Sequence, residues 1–115
     1  MRELLEQWID AHTGEFLETT QAVLRIPSVK DDATADTSAN APFGKAIADS
    51  LEYTLSVCDK QGFATENFAG YAGHASFGTG TEIAAMLGHL DVVPVGKGWV
   101  YDPWSATLAD GEIWG

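Results

Sequence analysis

A histidine and an aspartate stand two residues apart in the apolar stretch MLGHLDVVPVG, at residues 86–96. Burying either side chain costs free energy unless it finds a polar partner. In a strand, residues i and i+2 face the same side, so His89 and Asp91 would project together. A neutral imidazole is a good zinc ligand, and a nearby carboxylate can fix its orientation and tautomer. The pair predicts either a metal ligand with its supporting carboxylate or two polar residues that satisfy each other.

The two-residue pattern alone is weak, because such a short pair recurs by chance. A zinc site needs three or four ligands. The other histidines, His12 in a predicted helix and His74 in a predicted strand, have no ligand-like spacing to His89. We interpret both as solvated or packed residues, and the single cysteine, Cys58, as a small core residue on an apolar helical stripe.

Helical periodicity dominates the first half of the chain. Residues 2–25 carry apolar side chains at mostly helical spacing, as one helix or as two short ones divided at Gly14. A second apolar stripe follows an i, i+4 row through residues 42–62. Pro42 suits its first turn, and Gly62 suits the position after its last turn.

Short segments separated by glycine-containing turns follow the helices and predict strands: FATENF, YAGHASFG and EIAAMLGHLDVV. The third is nearly all apolar, as a strand covered on both faces should be. His89 and Asp91 would lie at its carboxyl end, where α/β sheets usually bind ligands. Asp110-Gly111 predicts a type I′ hairpin. We therefore expect an α/β fold, with two N-terminal helices followed by strands of a mixed sheet.

Composition narrows the class of protein. The chain has 115 residues, about one domain, with six Lys+Arg against 17 Asp+Glu and a net charge of −11. Nucleic acid and anionic membrane surfaces would repel it, so neither is expected as a partner. One cysteine fits a reducing compartment, and the acidic start lacks the apolar core of a signal peptide. We expect a cytoplasmic protein; its oligomeric state stays open.

A longer motif makes the histidine pair specific. The run LGHLDVVPVGKGWVYDPWSATLADGEIWG, at residues 87–115, resembles the first metal-binding segment of the M20 family of zinc metallopeptidases. That pattern is an apolar strand, G-H-x-D-V-V-P, a glycine-rich loop with Trp, D-P-[FW], and a D-G-x-[IL]-[YW]-G hairpin. Upstream, GFATENFAGYAGHASFG at residues 62–78 resembles the PepV-type dipeptidase branch of the family.

The resemblance implies a catalytic α/β domain that binds two zinc ions or other divalent metals. It makes His89 a metal ligand, and it places Asp91 in the catalytic machinery as the carboxylate that holds the imidazole. The implied reaction is hydrolysis of dipeptides or short peptides by a metal-activated water. The family's bridging aspartate, glutamate base, remaining ligands and lid domain have no counterpart in these residues.

We therefore expect residues 1–115 to be the N-terminal part of an M20 catalytic domain, inactive on its own. An ending inside a predicted return strand also favours a fragment. Two alternatives stay open. An M20-type amino-acid deacylase or deacetylase would use the same zinc chemistry, and a non-enzymatic interaction module would need the short chain to fold alone.

Overall fold

Two α-helices and four short strands form along the chain, which the computed structural model describes from residue 1 to residue 115. In order they are α1 (Arg2–Leu24), α2 (Lys45–Lys60), β1 (Ala64–Phe68), β2 (Ala72–Ser76), β3 (Thr107–Ala109) and β4 (Glu112–Trp114). The strands form two separate two-stranded antiparallel sheets, β1–β2 and β3–β4. The expected α/β class, with two helices preceding strands, is confirmed.

The chain divides into two compact units, one of residues 1–25 and 97–115 and the other of residues 26–96. In the first unit, α1 is a single helix that continues through Gly14. A Cβ atom added at Gly14 would have no neighbour within 4 Å. A glycine inside a helix costs only about 1 kcal/mol relative to alanine, which is too little to break it. Neither helix of the chain combines the length and apolar content that crossing a bilayer requires.

The β3–β4 hairpin of the first unit has the predicted turn. Asp110 and Gly111 have φ angles of 54° and 81°, as both central residues of a type I′ turn must. Ala106, just before β3, is completely buried. Its carbonyl accepts a hydrogen bond of 2.7 Å from Gln21 Nε2 of α1. A side-chain hydrogen bond thus joins the C-terminal half of α1 to the residue that precedes the hairpin.

Helix α2 and the β1–β2 hairpin are the regular elements of the second unit apart from one short 3₁₀ turn. Helix α2 begins at Lys45, three residues after Pro42, which was expected in its first turn. Gly44, the N-cap residue, has a φ of 107°, which is outside the helical range. Lys45 N instead donates to Thr34 Oγ1 at 3.1 Å, so a loop side chain caps the helix. Gly62, with a φ of 88°, follows the helix as predicted.

The third predicted strand in the second unit does not form. Residues 82–91 have no regular secondary structure, and Val92 makes an isolated parallel bridge with Val29. Ile83, Met86 and Leu87 are 89%, 103% and 102% exposed. A strand needs a ladder partner and cover for its apolar faces, and β1 and β2 pair only with each other. The expectation that His89 and Asp91 end a buried strand is therefore wrong.

Candidate metal-ligand site

His89 and Asp91 do lie together, but at the surface. Their side chains are 81% and 64% exposed. His89 Nδ1 lies 2.9 Å from the main-chain oxygen of Asp91 and 3.3 Å from its carboxylate oxygen Oδ1. The two polar side chains therefore satisfy each other without the cost of full burial.

The contact with the carbonyl of Asp91 determines which ring nitrogen is available. A carbonyl oxygen can only accept, so the hydrogen bond requires the proton to be on Nδ1 of His89. In a neutral imidazole Nε2 then carries the free lone pair, and this is the form in which histidine binds metals. An acceptor that fixes the tautomer in this way is the usual partner of a metal-binding histidine.

A cavity of about 400 Å³ lies next to the pair within the second unit. Its lining is mostly apolar and comes from the start of α2, the β1–β2 turn and the segment around Leu90. The lining residues are Lys30, Phe43, Ile47, Leu51, Gly70, Tyr71, Ala72, His89, Leu90 and Asp91. Small-molecule sites are commonly apolar cavities of about 300–1,000 Å³ with a few polar groups, and this cavity has that character.

His89 fits the role of one metal ligand, whereas the chain as a whole does not supply a complete centre. No group of three or more His, Cys, Asp or Glu side chains is placed to hold a metal ion. His12 Nδ1 lies 2.7 Å from the carbonyl of Trp8 and its ring stacks on that indole. His74 lies across the hairpin from Glu66, at 4.0 Å. The two other histidines therefore have local contacts of their own, away from His89.

Ser28 is a residue of this site that sequence reasoning did not select. It is only 4% exposed, and its Oγ donates to the carbonyl oxygen of Leu90 at 2.6 Å. Leu90 lies between the two candidate site residues. The two hydrogen-bonded residues are 62 positions apart in the chain, so no local pattern could have shown the contact.

The chain is similar to proteins that carry dipeptidase names. It is 43% identical over 100 residues to "Putative dipeptidase YtjP" of Bacillus subtilis, covering 87% of this chain and 21% of that protein. It is 37% identical over 115 residues to "Beta-Ala-Xaa dipeptidase" of Lactobacillus delbrueckii subsp. lactis, covering 99% and 23%. A third relative, "Putative dipeptidase SH1171" of Staphylococcus haemolyticus, is 31% identical over 105 residues, covering 91% and 22%.

These similarities support a relationship to a dipeptidase family. The chain spans between about a fifth and a quarter of the length of these curated relatives. No protein-family model matches the chain.

Proposed function

We propose that this chain forms part of a zinc-dependent dipeptidase of the M20 type, to which His89 contributes one imidazole ligand. The observation that carries the proposal is the contact of His89 Nδ1 with Asp91, which leaves Nε2 available. The substrate class, dipeptides or short peptides, is supported by the dipeptidase names of relatives that align with most of this chain.

Each residue of the pair has a separate task in this proposal. His89 presents Nε2, and the main-chain oxygen and carboxylate of Asp91 hold the opposite side of the ring. These contacts with Asp91 keep the ring in one orientation and one tautomer, which favours binding of a cation at Nε2. Bound zinc would polarise the peptide carbonyl and make a bound water acidic enough to act as a nucleophile.

The rest of the centre must come from outside residues 1–115. A catalytic zinc ion is held by three protein ligands and keeps one position open, and this chain places only one imidazole at the site. We therefore propose that residues 1–115 form the N-terminal part of a catalytic domain that is completed by further sequence. The free thiol of Cys58 is compatible with the reducing cytoplasm that we propose for the enzyme.

The deciding experiment uses the full open reading frame that contains this sequence. The purified protein is assayed against a panel of dipeptides beside N-acetyl amino acids, with and without a chelator, and its metal content is measured by plasma emission. We expect bound zinc and chelator-sensitive hydrolysis of dipeptides. Cleavage of N-acetyl amino acids alone would instead identify a deacylase. A protein that binds no metal and cleaves neither substrate class would refute the proposal and favour an interaction module.

A further inference from the structure

Ser28 contacts the chain on both sides of Asp91. Its buried Oγ donates to the carbonyl oxygen of Leu90 at 2.6 Å. Its own carbonyl oxygen accepts a hydrogen bond from Val92 N at 3.1 Å. One residue thus fixes the main chain immediately before and immediately after the candidate catalytic carboxylate.

The segment that carries Ser28 is itself restrained. Ser28 N donates to the carbonyl of Ile26 at 2.8 Å, and Val29 N donates to the carbonyl of Pro27 at 2.7 Å. The ring of Pro27 also fixes its own φ. A parallel bridge joins Val29 to Val92. Ser28 therefore holds the second segment from a position that has little freedom of its own.

No packing of the site side chains can replace these hydrogen bonds. The side chains of His89 and Asp91 are 81% and 64% exposed, and residues 82–91 belong to no helix or strand. The relative placement of the imidazole and the carboxylate therefore depends on the main chain between them. Two hydrogen bonds to Ser28 tie this main chain to the segment at residues 26–29.

We propose that Ser28 is a positioning residue that acts through the carbonyl of Leu90 to hold His89 in its ligand geometry. The effect on metal binding rests on the proposed function, whereas the ordering of residues 88–93 does not. Residues that orient a metal ligand typically change metal affinity by about 10–100-fold when they are altered. Because Ser28 acts through a main-chain carbonyl, we expect the lower end of this range, about 10-fold.

The test compares Ser28→Ala with Ser50→Ala in the full-length protein. Ser50 is a matched control, because it is 2% exposed and lies in the same unit but on α2. Hydrogen exchange of a peptide spanning residues 88–93 reports the ordering, and chelator competition reports zinc affinity. Loss of one hydrogen bond should speed exchange there by between about 2-fold and 10-fold. Ser50→Ala should change neither quantity.

A third variant separates loss of the hydroxyl from a general loss of folding. Ser28→Thr keeps the hydroxyl and should exchange at residues 88–93 as the wild type does. Equal exchange at this peptide in Ser28→Ala and the wild type would overturn the proposal, and so would equally fast exchange in Ser28→Thr and Ser28→Ala. Faster exchange in Ser28→Ala with unchanged zinc affinity would overturn the positioning role. If the wild type bound no zinc, the proposed function would fail, and the exchange data alone would still decide whether Ser28 orders this segment.

Discussion

Gly70→Ala should be among the most destabilising alanine substitutions in residues 26–96. Gly70 lies in the turn between β1 and β2, where Tyr71 N donates to the carbonyl of Phe68 at 3.0 Å. Ala69 and Gly70, the two central residues, have φ angles of 53° and 78°, as in a type I′ turn. A side chain at position 70 would therefore meet an unfavourable backbone conformation before any neighbour is considered.

The neighbours of Gly70 make the cost larger. A Cβ atom there would lie 1.8 Å from the carbonyl oxygen of Asn40, 2.5 Å from its carbonyl carbon and 2.8 Å from Pro42 Cδ. Two of these atoms are backbone and cannot rotate away. The left-handed conformation costs about 1–2 kcal/mol for an L-residue. Overpacking typically adds about 1–3 kcal/mol. We therefore expect a loss of about 2–5 kcal/mol in the free energy of unfolding.

Gly78→Ala isolates the backbone contribution. Gly78 has a φ of 85°, close to that of Gly70, but nothing lies within 4 Å of its added Cβ. Equilibrium urea unfolding is measured for the wild type and the two variants. The shift in each transition midpoint gives the free energy of unfolding that each substitution removes. Gly78→Ala should lose only about 1–2 kcal/mol. If Gly70→Ala were no less stable than Gly78→Ala, the close approach of the turn to Asn40 would not exist in solution.

Four further outcomes are expected. His89→Ala should remove most metal at one site and nearly all activity of the full-length enzyme, whereas His74→Ala should keep its metal and its activity. Wild-type metal content in His89→Ala would contradict the role of His89 as a metal ligand. Asp91→Asn should fold but lose about 10–100-fold in zinc affinity or turnover, and normal values would leave Asp91 a structural residue. Hydrogen bonds from the Ser38 hydroxyl and amide lower the pKa of Asp36. The stability that the ionised Asp36 contributes is therefore present above about pH 4 and lost as pH falls through the lowered pKa. The urea midpoint of Ser38→Ala should depend less on pH in this range than that of the wild type. Residues 1–115 alone should not hydrolyse dipeptides, since one imidazole cannot hold catalytic zinc, and chelator-sensitive turnover by this chain would show otherwise.

The sequence predicted those elements whose determinants are local. Apolar spacing along residues 2–25 and 42–62 gave both helices to within a few residues, because i and i+4 side chains share a helical face. The Asp110-Gly111 pair gave the turn of the β3–β4 hairpin, because few other residues tolerate two successive positive φ angles. Each signal lies within the element that it predicts.

Features that depend on distant residues could not be predicted in this way. The start of α2 is set by the conformation of Gly44 and by Thr34, eleven positions before Lys45. The link from Ser28 to Leu90 spans 62 positions. The juxtaposition of His89 and Asp91 was predicted, but as two residues of a strand; the structure brings them together through a ring-to-carbonyl contact instead.

The apolar run before His89 has the composition of a covered strand but is exposed in this structure. Ile83, Met86 and Leu87 are almost fully exposed, and a contiguous exposed apolar run is a surface that other residues normally cover. The single ladder contact near this run, the parallel bridge from Val29 to Val92, forms just after Asp91. The end of this segment next to the site is therefore held by contacts within this chain, whereas its apolar residues at 83–87 lie uncovered.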